Sequence, residues 1–432
     1  MYIKQWFIIL LGLCSMQAFA AAPIQYWQTS QGGRVYFVQS TGLPMLDMRL
    51  VFAAGSARDG QQQGLAALTT RLIETGAGHW NADQLAQQFD DVGARFSYDL
   101  NQDYAWLGLR TLTQADLFKQ AFTTFQQVAT QPSFAADEFQ RIKDQVLIEL
   151  QQQQERPNFI AKKTFYQALY GQHPYAHLKE GTRQSVAAIS LADVQRFYQQ
   201  YYVTQNAILV LVGDIPKVQA QQLAENLFAK LKQGYKAKAL AKVPALQAGK
   251  TLHIDFTSTQ THVLAGLPVL SRRDADYFPL YVGNYILGGG GLVSRLFDEI
   301  REKRGLAYSA YSYFSPLAQA GPFTLGLQTQ NKQSDLAITV LKQTLHKFIQ
   351  KGPSQEELDA AKKNLTGGFV LRFDNNRKLL NYIAMIAFYQ LPLDYLDTFQ
   401  AQVAKVTLAQ IQEAFQRRVN PELLQIISVG GK

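Results

Sequence analysis

Two histidines one helical turn apart can ligate a zinc ion together, and a carboxylate beside them can activate the bound water, which makes the six histidines the first candidates for chemistry. His173 and His177 have the four-residue spacing, but Pro174 lies between them and Gly171 and Tyr175 flank them, which argues against a regular helix. No carboxylate motif accompanies them, and they read as packing residues of a loop. His79 follows Gly78 in a turn and reads as a surface residue. His253 and His262 fall on the strands expected to open the second half of the chain, and His346 on a helix beside Lys347. None of the six forms HExxH or HxxEH. Cys14 is the only cysteine and lies in a segment expected to be removed on export, which excludes thiol catalysis and cysteine metal sites from the mature chain. The run Gly288, Gly289, Gly290, Gly291 lacks the GKS or GKT ending of a phosphate-binding loop, so it gives no nucleotide signal.

The elements that must position any site follow from length and pattern. At 432 residues and 47% apolar, the chain can form two hydrophobic cores. Residues 1–20 read as a secretory signal peptide: Lys4 supplies positive charge, the apolar run from Trp6 to Leu13 is too short to cross a membrane, and Ala18 and Ala20 precede the expected cut. This predicts a periplasmic protein. A lipoprotein cut before Cys14 is disfavoured, because Leu13 puts a large residue where a small one is needed. A strand is predicted over residues 43–52. Leu65, Leu68, Leu72 and Ile73 then recur at helical spacing up to a stop at Gly76. Further helices are predicted from Ala82 to Val92, Gln114 to Ala129 and Ala136 to Gln154, with a hairpin across Asn101 and Gln102. Ser190 and Asp193 form a capping box before a helix that leads into the strand AILVLVG.

Residues 231–250 lose any long apolar face and read as a linker between a first module, 21–230, and a second, 251–432. The strand DYAWLGLRT ending at Thr111 and the helix opening DEFQRIKDQ at Asp137 are echoed at nearly one offset by GPFTLGLQT ending at Thr329 and EELDAAKKN at Glu356. Two such recurrences argue for a duplicated module. Each copy is expected to be α+β, a mostly antiparallel sheet with helices packed against it. The net charge of +9 reads as a soluble basic surface, since no finger, helix-turn-helix or long Lys/Arg block points to nucleic acid.

Several strings resemble the M16, or insulinase-like, peptidases, in the branch that includes processing peptidases. They are GSARD at Gly55, GLA at Gly64, HPY at His173, FYQQYY before NAILVLVGD, LGGGGLVSRLFDEIREKRGLAYS from Leu287, and EELDAAKKNLTGGF from Glu356. The resemblance covers nearly the whole chain after the signal segment. It implies two homologous α/β lobes of the LuxS/MPP-like metallohydrolase type, facing each other across a cavity. Active members carry HxxEH directly after the GLA; the five matching positions here are Ala67, Leu68, Thr69, Thr70 and Arg71. The family's third zinc ligand matches Glu149, and its supporting glutamate matches Ile142. One carboxylate beside a cation is not a zinc site, and an ion pair between Arg71 and Glu149, buried or at an interface, is expected instead. In the second lobe the resemblance assigns Arg301 and Tyr308 to substrate orientation and transition-state stabilisation, and implies a mobile, close-approach loop at the cavity rim for Gly288 to Gly291. Their alternative reading is a charged helix end and a tyrosine at the edge of the core. An extended peptide is expected along a strand edge, with the strand leading into AAGSARD as the candidate.

These readings predict a non-catalytic, substrate-orienting subunit of a periplasmic heterodimeric zinc peptidase. The chain itself would hold no cofactor, and the zinc would sit in a partner M16 chain carrying HxxEH. A peptide-binding or scaffold protein without a catalytic role, and an independently active peptidase using an unrecognised site, are the two alternatives.

Overall fold

The computed structural model describes residues 23–431; the signal peptide read over residues 1–20, with Cys14, lies outside the described residues. The first half runs β1 (Gln25–Gln28), β2 (Arg34–Gln39), β3 (Met45–Phe52), α1 (Leu65–Leu72), the two-residue strands β4 (Gly76–Ala77) and β5 (Trp80–Asn81), α2 (Ala82–Asp90), β6 (Arg95–Leu100), β7 (Ala105–Leu112), α3 (Ala115–Thr130), α4 (Ala136–Gln154), α5 (Pro157–Tyr170), α6 (Arg183–Ala188), α7 (Leu191–Tyr201), β8 (Ala207–Gly213) and α8 (Lys217–Lys230). No helix or strand interrupts the chain from there to β9 (Lys250–Asp255). The second half continues with β10 (Gln260–Leu270), α9 (Tyr277–Asn284), α10 (Arg295–Phe297), β11 (Ala307–Phe314), β12 (Gly321–Gln330), α11 (Ser334–Lys351), α12 (Gln355–Gly367), α13 (Asn376–Tyr389), α14 (Tyr395–Lys405), α15 (Leu408–Arg418) and β13 (Gln425–Gly430). Among the described residues no helix is long and apolar enough to cross a membrane.

The two main sheets share one topology. The first has the order β1-β2-β8-β3-β7-β6, and the second, read from its far edge, β9-β13-β10-β12-β11. In each, one pair is parallel, β2 with β8 and β9 with β13, and the other neighbours are antiparallel. The fold is therefore mixed α+β with a repeated sheet, as the echoed strings require.

Each half lends a helix to the other. Strand β8 is apolar on both faces because both are covered: Leu209 and Leu211 enter the first core, while Ile208, Val210 and Val212 pack against Leu380, Ile383, Ala384 and Ala387 of α13. Reciprocally, Phe165 and Leu169 of α5 pack with Ile427 and Val429 of β13. A strand buried on both faces needs a continuous apolar run, which AILVLVG supplies.

The sheet order corrects one expectation. The strand leading into AAGSARD is β3, and it is hydrogen-bonded along its length to β7 on one side and β8 on the other, so it offers no edge to a peptide. Its burial on both faces, which takes in even Asp47, paired there with Arg110, is the signature of that central position. The open edge beside α1 is β6, which pairs only with β7 among the described residues and alternates in exposure along its length.

Candidate functional site

Helix α1 begins at Gly64, whose φ of +95° suits a residue without a side chain. Asp59, from GSARD, closes the free end of the helix: its carboxylate accepts from the Gly64 backbone N–H at 2.7 Å and from that of Ala66 at 2.8 Å. Burial pushes the Asp59 carboxyl up to about 8, against these two N–H groups, which favour its charged form. The cap fixes the register of the five residues that follow.

Ala67 and Arg71 are four apart and both half-buried, whereas Thr70 is fully buried. The Thr70 hydroxyl donates to the Ala66 carbonyl at 2.8 Å and lies 2.8 Å from the Tyr202 hydroxyl, so this position is turned into the core. Arg71 points the other way and forks onto Glu149 of α4, with Nη1 donating to Oε2 at 2.9 Å and Nη2 to Oε1 at 2.7 Å. The guanidinium holds the Glu149 carboxyl below the usual carboxylate range, and Glu149 in turn raises Arg71. The side chains retain 31% and 49% exposure, so the pair is not buried and contributes no more than about 1 kcal/mol to stability. Ile142, about two turns earlier on α4, is buried in the first core.

Arg71 borders a pocket of about 480 Å³, whose walls include Leu85, Phe89, Phe96, Tyr98 and Ile142. Every residue lining it comes from the first half. A zinc ion does not fit this donor set. Ala67 offers no ligand atom, Arg71 is a cation, and both Glu149 oxygens already accept from it. Among the described residues no group of three or more His, Cys, Asp or Glu could hold a metal ion. His173 and His177 are buried packing residues: His173 Nε2 lies 3.0 Å from the Ala241 carbonyl, and His177 Nδ1 3.2 Å from that of Leu178.

In the second half the chain turns at Gly305, with φ of +61°, between the helical turn Asp298–Glu302 and β11. That turn brings Arg301 and Tyr308 together. The guanidinium donates from Nη1 to the Tyr308 carbonyl at 3.2 Å, and its carbon lies 4.5 Å from the centre of the Tyr308 ring and 4.8 Å from that of Phe297. Tyr308 is 82% exposed, and its hydroxyl has no hydrogen-bond partner among the described residues. A guanidinium held between two rings beside a free phenol can offer several N–H and O–H donors to a peptide carbonyl. Phe297 is the member of this group that the string alone did not single out; its place three residues before Ile300 on a helical stretch was the available signal.

The glycine run is only partly a loop. Gly288 and Gly289 belong to the helical turn Tyr285–Gly289, and Gly288 is buried so close to β11 that a Cβ would meet the Ser312 backbone nitrogen. The close approach is present, but inside a helix, because Asn284 and Ser312 bind each other across it. Only Gly290 and Gly291 lie beyond that turn, and they lead to the exposed Leu292 and Val293.

Residues 34–183 match the model of insulinase (peptidase family M16), and residues 188–365 match the peptidase M16 inactive domain. A solved structure, the peptidase M16 inactive domain from Pseudomonas fluorescens, superposes with a TM-score of 0.91 at 35% identity, over 95% of this chain and 98% of that one. The chain belongs to peptidase family M16. A second relative, the non-peptidase homolog YmxG of Helicobacter pylori, is 29% identical over 94% of each chain. An uncharacterized zinc protease of Rickettsia felis is 26% identical over 77% of this chain and 81% of its own. This M16 chain is thus a homologue in which no cluster of metal ligands is found among the described residues.

Proposed function

We propose that this M16 chain orients the substrate in a periplasmic heterodimeric zinc peptidase, with the zinc supplied by a partner M16 chain that carries HxxEH. The observation that carries this reading is the contrast between the two halves. The first has lost its metal donors and seated a guanidinium on Glu149, while the second presents Arg301 beside an exposed Tyr308 whose hydroxyl is free. Orientation of a carbonyl and activation of a water act on opposite sides of a peptide, so they can be divided between two chains. The pocket beside Arg71 contains neither Arg301 nor Tyr308, which suits a pair that serves a site completed by another protein. The signal segment at residues 1–20 supports export to the periplasm. An extended peptide or small unfolded protein would then run along the open edge of β6, and the non-peptidase name of the Helicobacter pylori relative agrees with a subunit that does no chemistry alone.

Arg301→Ala in the purified complex is the test. Loss of a donor that acts on developing charge costs about a hundredfold or more in kcat, so peptidase activity is expected to fall by that order while the zinc content of the complex stays unchanged. A complex that keeps full activity after this change assigns the chain to a scaffold role.

A further inference from the structure

A second cavity, of about 340 Å³, lies where the two halves meet the segment that connects them. It shares no residue with the pocket beside Arg71. Six cationic side chains line it: Arg34 and Arg58 from the first half, Lys236 and Lys238 from the connecting segment, and Arg272 and Arg273 from the second half. The carboxylate in the lining is Asp103, which acts on Arg58 through its charge but forms no ion pair with it, and its oxygens are already engaged. They accept from the hydroxyls of Tyr175 and Tyr389, the latter at 2.8 Å, and from the Ala318 backbone N–H at 2.8 Å.

None of the six cations makes an ion pair among the described residues, in a chain where Arg71, Arg110, Arg295, Arg417 and Arg418 all do. The Nε atoms of Arg58 and Arg272 are buried without a hydrogen-bond partner among the described residues. The Arg272 guanidinium carbon lies 5.5 Å from the centre of the Tyr389 ring and 5.8 Å from that of Tyr277. Burial also pulls Arg34 and Arg58 below their ordinary range. Gathering like charges in a half-buried space and leaving guanidinium N–H groups unpaired is unfavourable, unless an anion accepts from them. Guanidinium forks match the oxygens of a phosphate two at a time. The rest of the wall is apolar, with Leu240, Leu317 and Phe388, so the space suits a phosphate carried on a small organic group as well as a free one.

We infer that the junction of the two halves is a binding site for a phosphate-type oxyanion, free or borne by a small molecule. Because its cations come from both halves and from the connecting segment, bound phosphate ties the three together.

The test is isothermal titration of the purified protein with inorganic phosphate, pyrophosphate and phenyl phosphate, at ionic strength held constant with potassium chloride. Saturable one-to-one binding of at least one probe is expected, with a rise in melting temperature of about 2 °C or more at saturation. Tightest binding of phenyl phosphate indicates a small-molecule phosphate, and tightest binding of an inorganic probe indicates a free one. Lys236, Lys238 and Arg273 are exposed, so the triple variant Lys236→Gln, Lys238→Gln, Arg273→Gln keeps the core intact and is expected to weaken binding about tenfold or more. No saturable heat from any probe overturns the assignment, and so does a triple variant that binds as tightly as the parent.

Discussion

Phe165→Ala is expected to destabilise the protein by about 3–5 kcal/mol, and to loosen the half of the chain that Phe165 does not belong to. Phe165 is fully buried on α5, in the first half, yet its neighbours are Ile427 and Val429 of the second sheet. The contact is close: a Cβ on Gly266 of β10 would lie 2.9 Å from the Phe165 ring. Truncation leaves a cavity that rigid strands on one side cannot fill. Hydrogen exchange should therefore accelerate in β10 and β13 before it does in β3 and β7, alongside a lower melting temperature. The reciprocal change, Ile383→Ala on α13, should accelerate exchange in β8. Loss of protection confined to the half that carries the substitution would contradict the exchange of helices.

The second large effect is the gain of a metal. Ala67→His together with Arg71→His is expected to give a protein that retains about one zinc per chain after dialysis, where the parent retains none. Ala67 and Arg71 are four apart on the outward face of α1, the spacing at which two imidazoles can ligate one ion, and removing the guanidinium frees both oxygens of Glu149. Adding Glu149→Gln should abolish the retained zinc. Hydrolysis is not expected to return, because Thr70 has no basic group and its hydroxyl is engaged by Ala66 and Tyr202 in the core. Absence of zinc from the double variant, measured by elemental analysis on folded protein, would show that Glu149 is not placed as a third ligand.

Much of this was legible in the chain because it is local. The capping box at Ser190 and Asp193 forms, the hairpin around Asn101 and Gln102 forms, and the echoed strings fall on β7 and β12 and on α4 and α12, at matching places in two sheets of one topology. The vanished zinc motif was equally plain, since it is five residues in a row. What escaped depends on partners far apart in sequence. Nothing in α5 or α13 says which sheet each will cover, because an apolar helix face fits either. The strand before AAGSARD carries Asp47 and Arg49 at alternate positions, a pattern that fits an edge strand as well as a central one, and only the pairing with β7 and β8 decides between them. For Gly288 and Gly289 the family resemblance implies a loop, yet close contact with β11 holds them in a helical turn. GSARD was visible as a string, while the role of its aspartate as the cap of α1 follows from the bonds to Gly64 and Ala66.

The division of labour between two chains is tested most directly by recovering the tagged protein from a native envelope extract, identifying its stoichiometric partners by mass spectrometry and measuring their zinc. One M16 partner bearing HxxEH and a downstream glutamate is expected, with the zinc in that partner. Recovery of the chain by itself, or only with proteins that carry no such motif, would contradict it.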